Sequence, residues 1–208
     1  ISACLVGSEM CIRDRFEDKV LTAGFVEAHS HIMTGMFSSI PYVGWFGRHM
    51  PDGSWVDGVK STDELVQRIA TIAATTEPGQ PIVVSGFDPI YLDTERLSCH
   101  HLDEATTQHA VFVFHASAHL ATINSFTLKK YSIEAGHPAP GVGFDENGQP
   151  NGELREPAAM ALARDEFRLI GQVVFSLETI GHFANAMRNA GITTAADLGN
   201  NFHAKDET

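Results

Sequence analysis

A short apolar run closing on two histidines, Gly24-Phe25-Val26-Glu27-Ala28-His29-Ser30-His31, constrains this chain more than any other stretch. It reads as a β-strand, and side chains on a strand alternate between faces with a period of two. His29 and His31 therefore point the same way, with Glu27 behind them and Ala28 and Ser30 on the opposite side. Two imidazoles on one face at a strand's C-terminal end can take adjacent positions around one metal ion. Neutral imidazole suits zinc and similar divalent ions, so His29 and His31 are candidate metal ligands, although the spacing alone also arises by chance and a strand carrying two half-buried histidines is the alternative.

Bulk properties narrow the partners. The chain has 208 residues, 43% of them hydrophobic, enough for one globular domain with a real core. A formal net charge of −12 argues against nucleic acid and against an anionic membrane surface as partners. Eleven histidines favour metal chemistry. No apolar run approaches the ~20 residues of a membrane span. Cys4, Cys11 and Cys99 are an odd set without metal spacing, so they read as thiols of a reducing compartment, the cytoplasm.

Residues 1–15 lack an initiator Met, clean periodicity and the basic and apolar regions of a signal peptide. Cys4 to Asp14 looks like a translated sequencing-adaptor read, so the segment is expected to be non-native; a true first strand around Ala3 to Val6 is the alternative. Ile32 to Asp57 reads as a long irregular loop rich in Gly, Met and aromatics, Trp45 among them. Such a loop after a strand commonly carries substrate contacts. Burial of those aromatics against the domain rim serves equally well.

Regular elements follow. Ser61 with Glu64 fits a capping box opening a helix through Ala74, and Glu77-Pro78-Gly79-Gln80 turns the chain. Pro81 to Gly86 and Ala110 to His115 are apolar runs of the kind buried on both faces. Asn124 is placed to cap a helix, a second helix spans about Pro157 to Leu169, and Ser176 opens a third with Leu177, Ile180, Phe183, Ala184 and Met187 on its buried side. Gly191 ends that helix, and Ile192 to Asp197 forms a last strand.

The lead-in Ala23-Gly24-Phe25-Val26-Glu27-Ala28-His29-Ser30-His31 resembles the first barrel strand of the amidohydrolase superfamily, with Ala23 for the usual Pro and Glu27 for the usual Asp. The ordered series Gly86-Phe87-Asp88, Arg96, Leu102 to Ala105, Ser117-Ala118-His119, Asn124-Ser125 with Leu128, Pro140 to Gly143, and Gly152 to Glu156 is similar to the amidohydrolase-3 branch, which includes N-substituted formamide deformylase-like proteins. The likeness covers about Lys19 to Gly199. It implies an α/β fold, a partial (β/α)8 TIM-type barrel. Residues 16–24 would be the remnant of a β-sandwich junction, and residues 25–208 would hold about the first four strands, with a long insertion before the fourth. A whole barrel takes about 250 residues, so the chain is expected to be a fragment, inactive by itself.

The resemblance further implies a divalent metal, zinc, with one or two ions in the full-length parent, bound by His29 and His31 and bridged by Glu156. Glu156 as a helix-start acid remains open. His119, just past a strand end, is a catalytic candidate that would hydrogen-bond a substrate carbonyl or oxyanion, or else it ties down its loop. Asp197, at the end of the last strand, is the second catalytic candidate. Trp45 and Asn124 are the substrate-binding candidates, Asn124 alternatively as a cap only. The implied reaction is attack of activated water on a small-molecule, amide-like, non-peptide C–N bond, in a chain that can form a homo-oligomer. Two competing expectations are a non-catalytic metal- or ligand-binding half-barrel that pairs with another chain, and a small flavodoxin-like protein with incidental histidines.

Overall fold

A computed structural model describes residues 19–50, 52–92, 96–174 and 176–198. The segment 1–15, and the polar end from Asn200 to Thr208, lie outside the described residues. In chain order the elements are β1 (Phe25–Ser30), a 3-10 helix (Ile32–Ser38), β2 (Arg48–His49), β3 (Trp55–Val56), α1 (Thr62–Ala73), β4 (Ile82–Phe87), a 3-10 turn (Pro89–Tyr91) and α2 (Cys99–Ala105). There follow β5 (Val111–His115), β6 (Leu120–Ile123), α3 (Ser125–Lys130), β7 (Val142–Phe144), β8 (Pro150–Arg155), α4 (Glu156–Met160), α5 (Arg164–Val174), α6 (Leu177–Asn189) and β9 (Ile192–Asp197).

The two apolar runs make the centre of the fold. β4 and β5 pair in parallel, Ile82 opposite Val111 through Ser85 opposite Phe114, with α2 between them in sequence. β6, β8 and β7 extend this sheet in antiparallel fashion, giving the order β4-β5-β6-β8-β7. Alternation along β5 splits the core in two. Phe112 and Phe114 pack with Ile123, Leu154, Met160 and Ile170. Val111 and Val113 pack with Val84, Leu65, Ile69 and Leu102.

β1 and β9 form a separate two-stranded parallel sheet, and β2 and β3 a small antiparallel hairpin. This corrects the expected strand count. The runs at Ile82 and Val111 do not stand between the first and last strands of one sheet; β9 pairs directly with β1, and the intervening chain builds its own mixed sheet. No closed barrel is present among the described residues.

Local signals hold where the chemistry is local. The Ser61 hydroxyl accepts from the Glu64 amide at 3.1 Å, while the Glu64 carboxylate takes the Lys60 amide at 2.7 Å, one residue before the expected partner. Ser176 accepts from the Thr179 amide at 3.1 Å, and Gly191 closes α6 with a φ of 73°. Two readings need correction. The single helix over Pro157 to Leu169 is two helices, α4 and α5, because the chain breaks between Met160 and Arg164 and buries Ala163 there. On α6 the buried residue is Thr179, whose hydroxyl donates to the Val173 carbonyl at 2.6 Å, whereas Leu177 is 86% exposed. The helix meets the 3-10 helix along a line through Gly35 and Thr179, turning the leucine away from the contact.

Candidate functional site

The pairing of β1 with β9 sets the position of the histidines. In a parallel pair both C-terminal ends lie together, and here Ser30 stands opposite Asp197. The Ser30 hydroxyl donates to the Ala196 carbonyl at 2.8 Å, and the Leu198 amide donates to the Ser30 carbonyl at 3.0 Å. Between Glu27 and Ser30 the register slips: Glu27 faces Ala195 and Ser30 faces Asp197. The extra residue on β1 is a bulge, which locally re-aims side chains. Glu27 Oε1 accepts the His29 amide at 2.9 Å within it.

The His29 and His31 rings meet edge to face, their centroids 5.2 Å apart at 79°. The pair predicted from alternation is therefore together. Among the described residues His31 Nδ1 is buried without a hydrogen-bond partner, and Asp197 Oδ1 stands 3.9 Å from it, beyond hydrogen-bond reach. A buried polar atom left unpaired costs about 1–3 kcal/mol, and coordination would remove that cost. The donor chemistry, two imidazoles beside a carboxylate, suits a divalent ion. It is not a complete centre. Among the described residues, no group of three or more His, Cys, Asp or Glu side chains is disposed to hold a metal, whereas a catalytic zinc site uses three protein ligands and a water.

His119 and Glu156 are brought to each other. The antiparallel pairing of β6 with β8 sets Leu120 opposite Arg155, and the Glu156 amide donates to the His119 carbonyl at 2.8 Å. His119 Nδ1 lies 3.0 Å from Glu156 Oε2, and both side chains are exposed. Backbone strain accompanies the pair: Ala118 has a φ of 60° and Glu156 a φ of 67°. Left-handed non-glycine residues cost on the order of 1–3 kcal/mol each. A carboxylate that orients an exposed imidazole can serve proton transfer.

Asn124 takes the capping role, the alternative to substrate binding. Its side chain is fully buried. Oδ1 accepts from the Val111 and Thr127 amides at 3.1 Å each and from the Thr127 hydroxyl at 2.7 Å; Nδ2 donates to the Thr106 and His109 carbonyls at 3.2 and 3.0 Å. No polar atom is left for a substrate, and the residue caps α3 while satisfying the edge of β5. Trp45 is half-buried, its ring stacked on Tyr91 at 5.8 Å with Lys60 Nζ 4.4 Å over its face.

One feature escapes a reading of the sequence, and one histidine of an apolar run proves to be a core residue. Glu153, 3% exposed, binds Arg96 Nη2 at 2.5 Å and also Arg155 Nε. The alternation of Glu153 and Arg155 around Leu154 is the signal that places them on one face. His115 lies nearby, 4% exposed, with Nε2 2.9 Å from the Thr122 hydroxyl and Nδ1 unpartnered. Burial pushes its pKa down to about 4; Glu153 and Asp88 oppose that shift, and Arg96 adds to it.

A family model described as the amidohydrolase family matches residues 17–208. Among solved structures, an uncharacterized metal-dependent hydrolase from Pyrococcus horikoshii OT3 is similar at 20% identity and a TM-score of 0.46, over 84% of this chain and 30% of that one. A second, from Pyrococcus furiosus, is similar at 18% identity and a TM-score of 0.44, over 91% and 36%. The chain thus spans about a third of the length of those structures. No curated protein matches it.

Proposed function

The chain belongs to the amidohydrolase family, and from that premise we propose that it carries the metal-binding strand of a longer metal-dependent hydrolase acting on small-molecule, amide-like substrates. The observation that supports this reading best is the His29–His31 pair at the joined ends of β1 and β9, with a buried, unpartnered His31 Nδ1. His29 and His31 would hold the ion, zinc in this reading, and one or two ions in the whole protein. When bound, such an ion supplies Lewis acidity and eases deprotonation of water. Asp197, 3.9 Å from His31 Nδ1, is the second catalytic residue in this reading. The His119–Glu156 pair gives two roles: His119 can donate to a substrate oxygen, and Glu156 orients it. Glu156 does not join His29 and His31 in a metal-holding group among the described residues, so the bridging role is not part of this proposal. The substrate class is a non-peptide C–N bond of the kind cleaved by N-substituted formamide deformylase-like proteins, with Trp45 at its edge. The setting is cytoplasmic.

A second reading has its own support. β1 and β9 are highly exposed, with Phe25 at 65% and Val26 at 70%. This suits a non-catalytic metal-binding piece that completes its sheet with another chain, including a second copy. Equilibrium dialysis against Zn2+ tests the common core of both readings. The chain should retain zinc, and the double variant His29→Ala/His31→Ala should lose it; equal retention by both proteins would refute the assignment. Turnover of N-substituted formamides by the zinc-loaded full-length protein, and not by this chain alone, separates the first reading from the second.

A further inference from the structure

The chain is strongly acidic, yet one concavity on it is lined by cations. A cavity of about 550 Å³ lies between the β2–β3 hairpin and the C-terminal half of α6, lined by Arg48, His49, His182, Arg188, Asn185 and Asn189 among others, with no carboxylate among the described lining residues. That volume falls within the roughly 300–1,000 Å³ of small-molecule sites. We propose that this groove binds a small molecule through an oxyanion group, a phosphate or a carboxylate.

The two arginines are prepared differently. Arg48 is fixed: Nη2 donates to the Ser38 hydroxyl at 2.7 Å, Nη1 to the Phe37 carbonyl at 3.3 Å, and the guanidinium lies 5.0 Å from the centre of the Tyr42 ring. A guanidinium has five N–H donors, so the fork keeps donors to spare and loses little freedom on binding. Arg188 is exposed and makes no side-chain hydrogen bond or ion pair among the described residues. Complementing the helix dipole explains one cation in the last turn of α6. It does not explain the convergence of Arg48 and His49, from a hairpin far away in sequence, on the same groove. Glu178 reaches one lining residue, His182, at 3.3 Å, and leaves both arginines unneutralised. Planar bidentate recognition of carboxylate or phosphate is the chemistry that arginine forks serve best, and the Asn185 and Asn189 amides add neutral donors.

The groove shares no residue with the His29–His31 pair, so anion binding and metal binding stand or fall separately. The test is isothermal titration of the metal-stripped chain with inorganic phosphate and with citrate at low ionic strength. Saturable one-to-one binding is expected, weakened about tenfold or more by Arg188→Glu and unchanged by Arg168→Glu, which alters net charge equally from α5, outside the groove. Arg48→Met, checked for folding by circular dichroism, should weaken binding as well. Tighter binding of phosphate assigns a phosphorylated ligand, and tighter binding of citrate a polycarboxylate. Absence of saturable binding to either anion, or equal losses in Arg188→Glu and Arg168→Glu, would overturn the proposal.

Discussion

Acid should loosen this fold through one histidine. His115 is buried at the end of β5, bonded to the Thr122 hydroxyl and packed against Phe87 with ring centroids 5.1 Å apart. Its pKa falls from 6.5 to about 4, chiefly through burial. Between those values the unfolded chain binds a proton that the folded chain refuses, so stability falls as pH drops through this window. Integration over the two pKa values gives a loss of about 2 kcal/mol between about pH 7 and pH 5. The perturbation is His115→Gln, which keeps a polar group near Thr122 and removes the titration. The assay is urea unfolding followed by circular dichroism at several pH values. The two proteins differ at position 115 alone, so the difference between the two pH profiles isolates His115. The variant is expected to lose about 2 kcal/mol less than the parent across the window. Parallel profiles would refute the reasoning, because they would mean that the buried imidazole is protonated as readily as in the unfolded chain.

Two further outcomes follow from the packing. Asn124→Ala removes the α3 cap, leaves the Thr127 amide without its acceptor and the Thr106 and His109 carbonyls without its donor, and leaves the Val111 amide only the Thr127 hydroxyl at 3.1 Å, so thermal or urea unfolding should show a loss of about 2–4 kcal/mol, more than the ~1 kcal/mol of an exposed cap. Gly152→Ala should also destabilise, by about 2 kcal/mol or more, because Gly152 has a φ of 91° and a Cβ there would sit 2.3 Å from the Ile123 carbonyl oxygen. A melting temperature equal to that of the parent would contradict the placement of β8 against β6.

What the sequence reveals depends on how far apart the interacting residues are. Ser61, Asn124, Ser176 and Gly191 announce helix ends because a cap acts within three or four residues. The runs at Ile82 and Val111 announce buried strands through composition alone. Strand partners are another matter: the bond from Ser30 to Ala196 spans 166 positions, and nothing in either segment states that pairing. β7 and β8 are hidden by polarity, since Asn151, Glu153 and Arg155 look like a loop until Glu153 is seen binding two arginines. The Asn147-Gly148 step between Phe144 and Pro150 is the hairpin signal that could have exposed them. In the site, the closeness of the His29 and His31 rings follows from their separation by one residue, although a bulge interrupts the strand alternation there and His31 lies past the end of β1. The neighbour relation of His31 to Asp197, and of His119 to Glu156, arises only from sheet pairing.

The most direct test of the central claim is zinc K-edge X-ray absorption on the zinc-loaded chain. Two imidazole ligands at about 2.0–2.1 Å, completed by oxygen donors, are the predicted first shell, lost together with the bound zinc in His29→Ala/His31→Ala. A shell containing sulfur at about 2.3 Å, or an unchanged spectrum in the double variant, would place the metal elsewhere and contradict the account.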